Sequence, residues 1–193
     1  TAEGNWTVED YMSLDDEQQH ELIRGRLVVT PSPSFAHQKT NHELGRLISN
    51  HVAERDLGHC VEAPADVVLA DDTVLQPDFL FVAKERFGKL YDGHSLTGAP
   101  DLVVEVLSPG TVKRDRIDKM DIYGEAGVEW VLFVEPDERF VEVFRLDQSA
   151  KYRRDARAAD DDTLTLERFP GLEIDLAEIW FEPPDDDSSH ENG

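Results

Sequence analysis

Glu105 interrupts the apolar run Val103-Val104-Glu105-Val106-Leu107, a pattern that predicts a central strand buried on at least one face. A carboxylate is costly to bury without a partner, so Glu105 needs a cation. Asp78 follows Pro77 and directly precedes Phe79-Leu80-Phe81-Val82, which places it at the mouth of a second strand. If the two strands are neighbours, their carboxylates converge on one hard cation, an ion that takes oxygen ligands and keeps several waters. The simpler accounts are a strand-capping turn residue for Asp78 and a buried salt bridge for Glu105. An acid at the start of one short strand and another inside the next apolar strand together favour the paired reading.

Lys119 is the candidate third group. It stands four residues from both Asp115 and Tyr123, so on a helix all three share a face, and Ile122 and Ala126 put it at an apolar margin. A lysine there can reach back toward the sheet. An exposed Asp115–Lys119 pair, worth roughly a few tenths of a kcal/mol, explains the same spacing and is the stronger account from spacing alone.

These residues need a scaffold, and the rest of the chain predicts one. Thr7 caps a short helix through Met12. His20 to Arg24 and Arg26 to Thr30 flank Gly25 as a hairpin, with Leu22, Leu27 and Val29 apolar. Ser34 then caps a long helix from Phe35 to about Arg55, in which Leu44, Leu47, Ile48 and Val52 fall at helical spacing. Short strands are expected at Val61, Val67 to Leu69 and Phe79 to Val82, with a helical turn over Lys84 to Leu90. The Glu105 strand, Leu102 to Leu107, leads into a helix from about Val112 to Ala126. Strands at Trp130 to Val134 and Phe140 to Phe144 follow, joined by a Pro136-Asp137 turn, and Leu164 to Phe169 is a later segment. The alternation predicts an α/β fold, a central mixed β-sheet flanked by two main helices, with an N-terminal hairpin and extra C-terminal strands.

The 193 residues fit one domain over 1–182, with an acidic, disordered tail from 183 to 193 that has no apolar residue. No apolar stretch approaches the roughly 20 residues that span a bilayer, and no signal-like segment opens the chain, so a soluble, cytoplasmic protein without a membrane partner is expected. A lone Cys60 excludes an internal disulfide and a thiolate zinc site, and reads as a small buried hydrophobe. The formal net charge of −23 argues against nucleic-acid binding, because that affinity comes from cations neutralising phosphates. Lys113-Arg114-Arg116 and Lys151-Arg153-Arg154-Arg157 are the local basic clusters that could offset it, or ordinary solvated faces. Two other chemistries fail on spacing. His42-Glu43 needs a second histidine where Arg46 stands, and Gly93-His94-Ser95 lacks the elbow glycine at Thr97.

Taken together, Pro77-Asp78, the string Ala99-Pro100-Asp101-Leu102-Val103-Val104-Glu105-Val106-Leu107-Ser108-Pro109, then Asp115, Lys119 and Tyr123 before Gly127-Val128 and Trp130 resemble the Uma family of restriction-endonuclease-like proteins in the PD-(D/E)xK nuclease superfamily. Glu21-Leu22-Ile23-Arg24-Gly25, Pro31-Ser32-Pro33, His37 and the stretch Gly171-Leu172 to Ile179-Trp180 also fit, so the resemblance covers about Tyr11 to Phe181. It implies a restriction-endonuclease-like core and Mg2+-dependent hydrolysis of phosphodiester bonds in DNA, with Mn2+ as a substitute ion. Asp78 and Glu105 would hold the metal and Lys119 would act on the water or the developing charge. Glu21 could complete the metal shell; His37, Asp115 and Tyr123 are accessory candidates, His37 standing equally well as a helix-cap or surface histidine. The superfamily's lysine normally stands two residues after the second acid, where this chain has Leu107; the family resembled takes it from the following helix, which points to Lys119. A homodimer would suit cutting of both strands. The competing implication is a catalytically idle nuclease fold that binds a protein partner or a metal, which the acidic surface favours.

Overall fold

The computed structural model describes residues 4–15, 18–108 and 112–183, and for 112–115 the backbone alone. Along the chain run α1 (Val8–Met12), β1 (His20–Ile23), β2 (Arg26–Val29), α2 (Phe35–Glu54), β3 (Gly58–Glu62), β4 (Val67–Ala70), β5 (Thr73–Leu75), β6 (Phe79–Ala83), α3 (Lys84–Leu90), β7 (Leu96–Thr97), β8 (Leu102–Val106), α4 (Val112–Ala126), β9 (Trp130–Glu135), β10 (Phe140–Leu146), β11 (Tyr152–Ala159), β12 (Thr163–Thr165) and β13 (Glu173–Asp175). Local chemistry sets several boundaries. Thr7 and Asp10 form a capping box on α1. Ser34 accepts the His37 N–H to start α2. The β1–β2 hairpin turns at Arg24 and Gly25, both at positive φ (49° and 75°), the conformation that a tight two-residue hairpin requires.

The central sheet has six strands in the order β11-β10-β9-β8-β6-β3. Only β8 and β9 are parallel, and α4 makes the crossover that a parallel pair needs. Side-chain alternation divides the two faces. Phe79, Phe81, Leu102 and Val104 meet Leu44, Ile48 and Val52 of α2 and the C-terminal Phe169, Ile174 and Leu176. Leu80, Val82 and Val103 point the other way, against Ile122 and Tyr123 of α4. The predicted mixed sheet between two main helices is therefore present, as are the N-terminal hairpin and the later β12–β13 ribbon.

A second sheet was not foreseen. Its five strands run β2-β1-β5-β4-β7, so the N-terminal hairpin pairs with β5 through Leu22 and Val74 instead of standing apart. Val67, Leu75 and Leu96 of this sheet join the core on the α4 side. Gln76 and Pro77 link β5 of one sheet to β6 of the other, which carries the chain across the junction immediately before Asp78. The basic stretch around Arg153 is also regular structure, the edge strand β11. The expected acidic tail lies outside the described residues beyond 183. Among the described residues, no helix is long and apolar enough to cross a membrane.

Candidate active site

Asp78 and Glu105 are brought together by strand pairing. Phe79 of β6 faces Val104 of β8 in the antiparallel register, and continuing that register by one residue sets Asp78 opposite Glu105, the cross-strand spacing at which Cβ atoms lie about 5 Å apart. The link is direct, since the Val106 N–H donates to Asp78 Oδ2 at 2.7 Å. Both acids thus sit where two short strands share one end of the sheet.

One turn of α4 supplies a donor to each oxygen of Glu105. Lys119 Nζ lies 2.9 Å from Oε2 and the Tyr123 hydroxyl 2.5 Å from Oε1, as their spacing of four on a common face allows. Lys119 also lies 3.0 Å from Glu21 Oε1, an oxygen that accepts the Gln76 N–H at 2.9 Å. Glu21 comes from β1, so the five-stranded sheet delivers a carboxylate to a site otherwise built by the six-stranded one. Lys119 is largely buried between Glu105 and Glu21. The side chain of Asp115 lies outside the described residues.

His37, at the start of α2, reaches the site from the opposite face, its Nε2 lying 3.3 Å from Asp78 Oδ2. Four residues on, Asn41 donates its side-chain amide to the Asp78 carbonyl at 3.0 Å. Asn41 and Gln76 were not singled out in the sequence. The one available signal was that Asn41 shares a helix face with His37; Gln76 acts through its backbone, which no side-chain pattern reveals. Of the Pro-Asp pairs Pro77-Asp78 and Pro100-Asp101, the first belongs to the site. Asp101 is spent on structure, accepting the Ala83 N–H at 2.7 Å and pairing with Arg86 at 2.9 Å.

The electrostatics follow from burial. Glu105 is 5% exposed; its desolvation, together with the charges of Asp78 and Glu21, pushes its pKa up to about 7 against the pull of Lys119 and the Tyr123 hydrogen bond. Burial opposes the charge of Lys119, but Glu105 and Glu21 outweigh it and hold the ammonium protonated. Burial and the neighbouring Glu105 likewise keep the Tyr123 phenol well above its ordinary range. Desolvation also works against a charged His37, and the hydrogen bond and charge of Asp78 overcome it, raising its pKa. Glu105 and Glu21 thus share one ammonium, while Asp78, beside Glu105 across the two strands, is met by His37 Nε2 and the Val106 N–H.

That donor set suits a hard divalent cation. Among the described residues no group of three His, Cys, Asp or Glu side chains forms a metal cage. A pair of carboxylates with water completing the shell is, however, the usual way Mg2+ is held; each Glu105 oxygen has a second lone pair beyond its one contact above, and the donors to Asp78 fall on Oδ2 and leave Oδ1.

Three residues of the basic clusters, Arg116, Arg153 and Arg154, are ion-paired within the fold. Arg116 pairs with Glu142 at 2.5 Å and lies over Phe133, Arg154 reaches the other Glu142 oxygen at 2.9 Å, and Arg153 pairs with Asp147 at 2.7 Å. Arg157 lies over the Phe140 ring. The side chains of Lys113 and Arg114 lie outside the described residues.

The model of the Uma2 family, described as "Putative restriction endonuclease", matches residues 8–177. Among solved structures, the chain is similar to "a putative nuclease belonging to DUF820" from Anabaena variabilis, with a TM-score of 0.74 and 19% identity over 91% of this chain and 97% of that one. At that identity the likeness shows the fold, which is restriction-endonuclease-like. No curated protein matches the sequence.

Proposed function

The chain belongs to the Uma2 family, and from that premise we propose that it is a Mg2+-dependent endonuclease that hydrolyses phosphodiester bonds in DNA. The observation that carries the reading is the placement of the Lys119 ammonium between Glu105 and Glu21, with Glu105 opposite Asp78 in the strand register. An amine held at the edge of paired carboxylates is what a reaction needs when a water attacks phosphorus and negative charge builds on the phosphate oxygens.

In this reading Asp78 and Glu105 hold Mg2+, with Mn2+ able to replace it. When bound, the ion lowers the pKa of a water and polarises the phosphate. Lys119 donates a hydrogen bond to the attacking water or to a phosphate oxygen that gains charge. Tyr123 keeps Glu105 in one orientation through Oε1, and Glu21 holds Lys119 on its other side. The bond formed is water oxygen to phosphorus; the bond broken is phosphorus to a sugar oxygen, which leaves with a proton.

The test is cleavage of plasmid and single-stranded DNA by the purified chain with Mg2+ or Mn2+, alongside Asp78→Ala, Glu105→Ala and Lys119→Ala. Metal-dependent cutting that is lost in all three variants is expected. No cutting of any nucleic acid, or cutting that survives the three changes, sinks the reading. The net charge of −23 favours a second one, a nuclease fold that binds a protein partner or a metal without cutting; the same assay separates the two.

A further inference from the structure

Asp78 lies one residue ahead of β6, and its carbonyl accepts the Ala63 N–H at 2.9 Å, so the β3–β6 pairing holds its backbone but not its carboxylate. Two of its anchors come from one helix. His37 Nε2 approaches the carboxylate at Oδ2 (3.3 Å), and the Asn41 amide donates to the backbone carbonyl of the same residue (3.0 Å). The two are one turn apart and so share a face of α2. The Val106 N–H converges on the same Oδ2.

We propose that His37 and Asn41 are positioning residues that fix the Asp78 carboxylate for a divalent cation; the inference rests on the metal-site reading above. The contact to an acceptor-only carboxylate needs the proton on His37 Nε2. With Oδ2 taken by His37 and Val106, rotation of the carboxylate is restrained. With the carbonyl shared by the Asn41 amide and the Ala63 N–H, the backbone of residue 78 is tied to the same helix as well as to β3.

Packing alone does not explain these two residue types. His37 Nδ1 and Asn41 Oδ1 are buried without a hydrogen-bond partner among the described residues, which is unfavourable for polar atoms. An apolar residue would fill the same space without that cost. What an apolar residue could not do is grip Asp78. The start of α2 is itself held, because Ser34 caps it through the His37 N–H, so the grip comes from a fixed support. Partners of this kind set ligand orientation, and their loss typically costs about 10- to 100-fold in metal affinity.

The experiment titrates Mn2+ against the chain and follows the free-ion signal by electron paramagnetic resonance, for the unaltered protein, His37→Ala, His37→Gln and Asn41→Ala, with metal-free thermal melting of each. His37→Ala and Asn41→Ala are expected to weaken Mn2+ binding by about 10-fold. His37→Gln, whose amide N–H can reach Oδ2, is expected to restore binding to within about 3-fold, because one hydrogen bond is replaced by another. Restoration by a donor, without a matching change in melting temperature, is not what a purely structural role would give. Should His37→Ala fail to fold, His37→Gln and the half-buried Asn41→Ala carry the test. Variants that bind Mn2+ as the unaltered protein does overturn the proposal, as does His37→Gln binding no better than His37→Ala. If the unaltered chain binds Mn2+, the variants weaken it and no nucleic acid is cut, the nuclease reading fails and this inference stands. An unaltered chain that binds no Mn2+ overturns both.

Discussion

Lys119 Nζ lies 2.9 Å from Glu105 Oε2, a contact spanning 14 residues that joins α4 to β8. The ammonium occupies an oxygen that a divalent ion would share, so it both serves the proposed chemistry and competes with the metal. Lys119→Met is therefore expected to act in two directions. Cleavage should fall by about 100-fold or more, as when a charge-stabilising donor is removed, while Mn2+ affinity should hold or rise. A Lys119→Met variant that cuts at half the normal rate would remove the lysine from the mechanism.

Glu142 ties α4 to the edge of the sheet through Arg116 and Arg154. Burial alone would raise its pKa, but hydrogen bonds from the two guanidinium groups and their charges hold it below the ordinary carboxylate value. A folded-state pKa below the unfolded one means that the stabilisation is present above the unfolded value and is lost as pH falls through the folded one. Glu142→Gln should thus cost about 2 kcal/mol near pH 7, with the gap to the unaltered protein closing below about pH 4. Melting curves across that range check it; an equal gap at pH 7 and pH 3 contradicts the pairing.

Gly58 begins β3 against β6, and a Cβ there would meet the Val82 carbonyl oxygen at 2.1 Å. Backbone cannot give way as a flexible side chain would. Gly58→Ala should destabilise the chain by about 3 kcal/mol, the upper end for overpacking, readable as a lower midpoint in urea. An unchanged midpoint would mean that β3 does not pair in this register.

Cys60 sits half-buried on β3, paired with Phe81. Burial pushes its thiol up to about 11, against a smaller opposing hydrogen bond from Ser49, and only the thiolate is reactive. At pH 8 the folded chain should react with a disulfide reagent about 100-fold more slowly than the urea-unfolded chain. Equal rates in the two states would place the thiol in solvent.

What could be read in advance was whatever announces itself within one element. A charge inside the apolar run of β8 marked Glu105, spacing of four placed Lys119 and Tyr123 together, and Ser34 and Gly25 marked a cap and a turn. What escaped depends on contacts between distant segments. β5 and β7 have three and two residues, too short to show alternation, and the pairings of β5 with β1 and of β7 with β4 span long separations, so nothing local showed that the N-terminal hairpin and β4 share a second sheet. β11 carries Arg153, Arg154 and Arg157 because it is an edge strand, where charge blocks further pairing and hides the period of two. The pairing of Arg153 with Asp147 and of Arg154 with Glu142 depends on the folded hairpin and cannot be read from a basic run. For the same reason Glu21 was visible as a candidate, but its contact with Lys119 and the Gln76 N–H that fixes it were not.

The most direct measurement is the anomalous difference map of crystals soaked in Mn2+. One peak is expected, with oxygens of Asp78 and Glu105 both within about 2.5 Å and Lys119 Nζ beside it. Mn2+ bound elsewhere while the space between those two carboxylates holds none, or a peak there coordinated by neither, would contradict the site.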